Sequence, residues 1–201
     1  MQYTSEVVEQ AVEALSGFPG IGRRTALRLV MHLLKRPDME VARMAEALLK
    51  LKTDLFVCKI CNNVSDGEIC QVCSNSAREA SLICVVEDYS DQMAIESTGQ
   101  YRGVYHILGG LISPMDGIGP EDIHVNSLLK RAEDGSVSEV IMALSATVEG
   151  DTTMYYLARK LKDYGVKTSC IARGIAVGGE IEYADEITLA RSLQQRTPYS
   201  V

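Results

Sequence analysis

The sequence predicts a multidomain α/β protein: a helical N-terminal region, a small four-cysteine module, a mostly parallel sheet with helices on both faces, and a C-terminal helical tail. Three observations lead to this prediction. Apolar residues recur at helical spacing up to about residue 54. Four cysteines then form two Cys-x-x-Cys pairs. After them, short β-branched runs alternate with helical patterns, which is typical of a parallel sheet with helical crossovers.

The N-terminal region is predicted to hold three helices. The first spans residues 5–16, the second spans residues 23–35, and Pro37-Asp38 ends the second and begins the third. The glycines between residues 17 and 22 interrupt the helical pattern. The apolar stripes are Val7, Val8, Ala11, Val12 and Leu15 in the first helix, Ala26, Val30, Leu33 and Leu34 in the second, and Val41, Met44, Ala45, Leu48 and Leu49 in the third.

The turn between the first two helices has the composition of a phosphate-binding hairpin. Its sequence, GFPGIGRRTALRL, places glycines that permit a sharp turn and a close approach of phosphate just before a helix N-terminus. A helix-hairpin-helix of this kind binds the nucleic-acid backbone without reading the sequence. An ordinary αα-hairpin with a solvated basic face is the alternative. The candidate DNA-binding residues are Gly20, Gly22, Arg23, Arg24, Arg28 and Lys35.

The charge of the chain is unevenly distributed. The total is −7, but residues 1–60 hold 9 basic and 7 acidic residues, a net of +2, whereas residues 61–201 hold 11 and 20, a net of −9. Screening at physiological salt acts over about 8 Å, so a phosphate responds to the local cations. The first residues, MQYTSEVVEQ, are not predicted to be a signal peptide, and no uncharged run reaches the ~18 residues of a membrane span. We therefore expect a cytoplasmic protein.

The four cysteines of the module are predicted to bind one structural zinc ion. Two Cys-x-x-Cys turns separated by eight residues can complete a tetrahedral site with Cys58, Cys61, Cys70 and Cys73. A redox dithiol or two disulfides are the alternatives, and disulfides are disfavoured in a cytosolic chain. Because sulfur would fill all four positions, the metal is expected to be structural.

The second half of the chain predicts four strands, over residues 82–87, 105–108, 139–144 and 168–172. Helical patterns lie near residues 90–97, 123–132, 152–163 and 185–195. Cys84 and Cys170 fall in apolar strand runs and are predicted to be buried, inert thiols. His106 and His124 stand alone and are predicted to have structural roles.

Acidic residues follow two of the predicted strands. Glu87 and Asp88 end the first strand, and Glu149 and Asp151 follow the third. Ligands gather at the carboxyl ends of strands in open α/β sheets, so these oxygens could hold Mg²⁺. Acids are equally favourable as caps at helix N-termini, so both interpretations stay open. No Walker A motif is present, and a nucleoside triphosphate site is not expected.

The order of these segments resembles the RecR family of bacterial recombination mediators. The resemblance covers nearly the whole chain. It rests on FPGIGRRTALRL, CKICNNVSDGEICQVC, LICVVED, HILGGLISPMDGIGPEDI, TVEGDTT and IARGIAVGGEIEYADEITLARSL. It implies a helix-hairpin-helix domain over residues 1–54, a zinc finger over 55–77, a Toprim domain over 80–176 and an assembly segment over 177–201.

The resemblance also implies a function and roles for site residues. Family members act in DNA repair by homologous recombination, and with RecO, or in another pathway RecF, they help load RecA onto single-stranded DNA coated by SSB. They form rings of four that can encircle DNA, closed by exchange of terminal segments, and no catalytic turnover is assigned to them. The positions of Arg24 and Arg28 match DNA-contacting cations, those of the four cysteines match zinc ligands, and those of Glu87, Glu149 and Asp151 match Toprim acids.

The chain departs from the family pattern at two places. Members often have Asn-Pro where this chain has Ser145-Ala146, and often have Glu at the position of Asp151. The retained acids leave a second hypothesis open: a Toprim enzyme acting as a Mg²⁺-dependent nuclease or strand-transferase. We expect a DNA clamp and adaptor that is not an enzyme.

Overall fold

The computed structural model describes residues 4–198, and in it the chain divides into two compact units between Leu55 and Phe56. Residues 1–3 and 199–201, at the outer ends of the predicted first and last domains, lie outside the described residues. The finer division into four domains stays a prediction. None of the helices described between residues 4 and 198 has the length and apolar character needed to cross a membrane.

The N-terminal unit is helical, as predicted. It holds α1 (Glu6–Ser16), α2 (Arg23–Leu33) and α3 (Asp38–Thr53). Val12 of α1 and Ala26 and Val30 of α2 are buried against one another. These contacts pair α1 with α2 and fix the glycine turn between them.

The apolar stripe of α3 is only partly covered within the N-terminal unit. No residue of this helix is buried. Met44, Leu48 and Leu49 are 46%, 48% and 67% exposed. The helical spacing of this stripe was therefore a correct guide to secondary structure, but it did not identify core residues.

Helix α2 ends at Leu33, two residues before the predicted end, so Lys35 lies in the following turn. The amide of Leu34 donates to the carbonyl of Val30, but the amides of Lys35 and Arg36 donate only three residues back. The last turn before Pro37 is therefore a tighter turn of three residues, because α-helical geometry is disfavoured for a residue that precedes proline.

The C-terminal unit contains the cysteine module and the α/β domain. The module comprises a hairpin of β1 (Phe56–Val57) and β2 (Val64–Ser65) with the short helix α4 (Gln71–Ser74). The α/β part contains β3 (Glu79–Val86), α5 (Tyr89–Ser97), β4 (Gly103–Ile107), α6 (Val125–Glu133), β5 (Glu139–Met142), α7 (Val148–Leu161), β6 (Lys167–Cys170) and α8 (Glu186–Gln194).

The sheet is parallel throughout, with the strand order β4-β3-β5-β6. Alternate residues of β3 enter two different cores. Ile83 and Val85 pack with the buried residues of α6 and α7, whereas Cys84 and Val86 pack on the other face with Tyr105. Because both faces are covered, β3 reads as a continuous apolar run, and the predicted architecture is confirmed.

The two cysteines of the strands differ in burial. Cys84 lies in the central strand, and burial raises the pKa of its thiol to about 12. Cys170 ends the edge strand β6 and is exposed, so the prediction of a buried thiol is wrong there. An apolar run indicates a strand, but it does not distinguish a central strand from an edge strand.

Candidate functional site

The four cysteines of the module converge. Cys58 and Cys61 follow β1, while Cys70 caps α4 and Cys73 lies within it. Their sulfur atoms all lie within 4.8 Å of one another, and the Sγ atoms of Cys61 and Cys70 are 3.6 Å apart. Zinc–sulfur bonds of about 2.3 Å place tetrahedral sulfurs about 3.8 Å apart. The cluster therefore fits a zinc ion.

The surroundings of the sulfurs act on the ionisation of Cys58 and Cys61 in opposite directions. Burial opposes ionisation of Cys58, but backbone amides, that of Cys70 first, outweigh it and lower the pKa to about 7. A hydrogen bond with Cys73, followed by burial, raises the pKa of Cys61. Four thiolates this close repel one another, so their joint ionisation needs a divalent ion between them.

The module offers a metal ion a closed set of ligands. Within residues 4–198, these cysteines are the one group of three or more potential ligand side chains close enough to share a metal. On a zinc ion held here, sulfur would fill all four tetrahedral positions and would leave no place for substrate or reactive water. The four cysteines therefore fit the predicted zinc site, and a structural role for the metal stays a prediction.

The hairpin presents the open N-terminus of α2. Gly20 has a φ of +77°, which a residue with a side chain rarely adopts, and Gly22 is the N-cap. The first backbone bond of α2 runs from the amide of Ala26 to the carbonyl of Gly22, and no side chain caps the earlier amides. These amides and the helix dipole give this end of α2 an affinity for anions.

Exposed cations surround that helix end. Arg24 and Arg28 are exposed and have no ion-pair partner in the part of the chain that the structure describes. Arg23 forms an exposed pair with Glu13 at 3.5 Å, which solvent screens. Lys35 is exposed beyond the end of α2. Gly20, Gly22, Arg23 and Arg24 are thus gathered at one turn, while Arg28 and Lys35 lie further along.

Asp88, one of the four predicted acids, is a helix cap. Its Oδ1 accepts hydrogen bonds from the Ser90 hydroxyl at 2.6 Å and the Asp91 amide at 3.1 Å. These bonds hold the pKa of Asp88 below its usual range. Burial, followed by the charges of Asp91 and Asp88, raises the pKa of neighbouring Glu87. Among the described residues, Glu87 has no side-chain hydrogen bond.

The other two acids lie in the first turn of α7. This helix begins at Val148, four residues earlier than predicted, because Thr147 accepts a hydrogen bond from the amide of Gly150 at 3.1 Å. Glu149 and Asp151 therefore face the positive end of the helix dipole. Within the described residues, no three of these four acids lie close enough together to share a metal ion. The structure therefore does not support a Mg²⁺ site at these acids.

Two arginines that the sequence reasoning missed neutralise Asp151. Arg173 donates to its Oδ1 at 2.5 Å, and Arg191 donates to its Oδ2 at 3.4 Å. These contacts, that of Arg173 first, lower the pKa of Asp151. The arginines lie 22 and 40 residues along the chain, so no local pattern reveals the pairing.

The two histidines have structural hydrogen bonds, as predicted. Nε2 of His106 lies 2.8 Å from the carbonyl oxygen of His124. Nδ1 of His124 lies 3.1 Å from the carbonyl oxygen of Ile107. Burial lowers the pKa of His106 to about 3, so its ring is neutral at physiological pH.

Comparison with known families gives four matches in chain order. The models for the RecR helix-hairpin-helix, the RecR four-cysteine zinc finger domain, the Toprim domain and the RecR C-terminal segment match residues 8–52, 55–75, 81–172 and 174–197. Together they span both structural units. The first and second matches contain the hairpin and the cysteine cluster described above.

Full-length relatives show the same similarity. The chain is 54% identical over 199 residues to the recombination protein RecR of Bacteroides thetaiotaomicron, covering 99% of this chain and 97% of that protein. It is 52% identical over 200 residues to RecR of Parabacteroides distasonis, covering 100% and 96%. For RecR of Flavobacterium psychrophilum the identity is 51% over 199 residues, covering 99% and 97%. The chain therefore belongs to the RecR family of recombination proteins.

Proposed function

We propose that this chain is a DNA-binding mediator of homologous recombination that acts in DNA repair. It binds the sugar–phosphate backbone through the helix-hairpin-helix and does not read base sequence. The observation that carries this proposal is the uncapped N-terminus of α2, beside Arg23 and Arg24, with no acidic residue in its first turn. The helix amides and the cations favour the same ligand, a phosphate.

The proposal includes assembly into a ring of four that encircles DNA. One hairpin with three arginines binds weakly, but several hairpins that engage together gain in effective affinity. The exposed stripe of Met44, Leu48 and Leu49 supports self-association because an apolar surface of this kind favours burial against another protein surface.

The proposed partners are RecO and RecF, and the proposed outcome is loading of RecA onto single-stranded DNA coated by SSB. Family membership supports these partners. The net charge of −9 on residues 61–201 supports binding of a basic partner away from DNA, because it repels phosphate. The proposed location is the cytoplasm, in association with the nucleoid.

The mediator is proposed to act without catalytic turnover. Two of the four Toprim acids already have other partners: Asp88 caps α5, and Asp151 pairs with Arg173. Binding Mg²⁺ through Asp151 would leave Arg173, which is largely buried, without its anion. Such an exchange is unfavourable because an unpaired buried charge is costly.

DNA binding by Arg24→Glu and Arg28→Glu variants tests the proposal. Each variant should bind DNA more weakly at low salt, and the slope of log affinity against log salt should fall by about one for each phosphate that the variant no longer neutralises. Fluorescence anisotropy with labelled DNA over a salt series measures both quantities.

Arg159→Glu is the matched control because it makes the same charge change at an exposed position on α7. It should bind DNA nearly as the native chain does. Native affinity in both hairpin variants would exclude α2 as the DNA contact. Cleavage of DNA by the native protein with Mg²⁺, lost in Glu87→Ala, would show that the protein is an enzyme.

A further inference from the structure

Arg131 is a cation with an unusual position in the C-terminal unit. It lies on α6, where its Nη1 donates to the carbonyl oxygen of Tyr105 at 2.7 Å and lies 3.4 Å from Nδ1 of His106. Within residues 4–198, no carboxylate lies within 4 Å of its guanidinium. A half-buried guanidinium of this kind needs a compensating anion elsewhere.

The surface that Arg131 faces is also contacted by the cysteine module. The amide of Ile107 in β4 donates to the carbonyl of Cys61 at 2.8 Å. The side-chain amide of Asn62 donates to the hydroxyl of Ser127 at 3.0 Å. Ser127 lies one helical turn before Arg131, so both residues are on the same side of α6. The module and Arg131 together cover the edge of β4, which is one of the two edge strands of the sheet.

The zinc ligands lie beside the strand that Arg131 contacts: Arg131 donates to the carbonyl of Tyr105, and the amide of Ile107, two residues further along β4, donates to the carbonyl of Cys61. Burial lowers the pKa of Arg131, and the thiolates of Cys73, Cys61 and Cys58 oppose that shift. Four thiolates around Zn²⁺ carry a net charge of about −2, which backbone amides only partly offset. Of the two side chains in contact here, His106 is neutral, so Arg131 carries the positive charge.

We propose that Arg131 is the counter-cation of the zinc centre. It compensates the excess negative charge of the zinc–thiolate cluster, and through its bond to Tyr105 it holds that cluster against β4. Zinc therefore stabilises the edge of the α/β domain as well as the module that ligates it. This role is independent of DNA binding and is tested without DNA.

Zinc affinity of Arg131→Gln and Arg131→Lys variants tests the proposal. Glutamine retains a donor for the Tyr105 carbonyl but has no charge, whereas lysine retains the charge. Competition with a chromogenic chelator should show that Arg131→Gln loses about 10- to 100-fold in zinc affinity, the range typical of outer-shell partners. Arg131→Lys should keep most of the affinity.

Lys130→Gln is the matched control because Lys130 is the exposed neighbour of Arg131 on α6. Its zinc affinity should equal that of the native chain. Thermal unfolding with and without zinc separates charge compensation from a purely structural role. The increase in Tm that zinc produces should be smaller in Arg131→Gln than in the native chain.

Two results would overturn the proposal. One is equal zinc affinity in the glutamine and lysine variants. The other is an equal loss of Tm in the zinc-loaded and zinc-free forms of Arg131→Gln. If the zinc-free glutamine variant does not fold, the test is the rate at which a chelator removes zinc from the zinc-loaded variants. Similar rates for the glutamine and lysine variants would contradict the proposal.

Discussion

Arg78 and Glu96 form a bidentate ion pair in the α/β domain. Two guanidinium nitrogens of Arg78 contact the two carboxylate oxygens of Glu96 at 2.8 and 2.6 Å. The hydroxyl of Tyr105 donates to the same carboxylate at 2.7 Å. The side chains of Arg78 and Glu96 are only 17% and 28% exposed, so solvent screens the pair weakly.

Glu96→Gln should make unfolding easier at neutral pH. We expect a loss of about 2 kcal/mol in the free energy of unfolding, because Arg78 keeps its position but loses its anion. Hydrogen bonding by Arg78 lowers the pKa of Glu96 below 4.5. The stabilisation is therefore present above that pH and is lost as the pH falls through the pKa of the folded state. Urea unfolding of both proteins between pH 7 and pH 3 measures this.

The difference between the native chain and Glu96→Gln should shrink as the medium becomes acidic. Glu133→Gln provides the control, since Glu133 is exposed at the end of α6 and has no ion-pair partner in the described chain. It should unfold like the native protein at pH 7. A difference for Glu96→Gln that stays constant down to pH 3 would contradict the assignment to the carboxylate charge.

At the scale of elements, the start of α7 depends on a glycine. A Cβ at Gly150 would collide with the carbonyl oxygen of Ser145. Alanine is favoured over glycine by about 1 kcal/mol in a helix interior, but a collision with backbone cannot be relieved by a rotamer change. We expect Gly150→Ala to lower the free energy of unfolding by about 1–3 kcal/mol.

Gly67→Ala is the comparison for this change. A Cβ at Gly67 meets no atom within 4 Å, and its φ is not in the left-handed region, so the variant should unfold like the native chain. Urea midpoints of the two variants give the test. Native or greater stability of Gly150→Ala would show that this contact does not limit the packing of α7.

The sequence predicted the elements well because their signals are local. Apolar periodicity identified α1 and α2, the β-branched runs identified the strands of the sheet, and the Cys-x-x-Cys spacing identified the metal ligands. What it could not show depends on distant residues. The pairing of Asp151 with Arg173 and Arg191, and the edge position of Cys170, follow from strand order and crossovers.

At the scale of the whole molecule, the division of charge and the family assignment both favour phosphate binding by the N-terminal part of the chain. The first 60 residues are net positive and carry the hairpin, while the acidic remainder carries the parallel sheet and three of the four zinc ligands. Electrostatics thus favours phosphate at one part of the chain and disfavours it at the other. The proposed mediator, which binds DNA and a second protein together, would gain specificity from such a separation.

Assembly should depend on the apolar stripe of α3. Leu48→Glu places a charge in that stripe, so it should shift the mass in solution from the proposed tetramer to smaller species. DNA affinity should then fall by about 10²- to 10⁴-fold, because the hairpins no longer engage together, although each hairpin is intact. Light scattering coupled to chromatography gives the mass, and anisotropy gives the affinity.

Ala47→Glu adds the same charge at an exposed position outside the stripe and should leave both the mass and the DNA affinity unchanged. A native chain that is a strict monomer, with or without DNA, would exclude the ring.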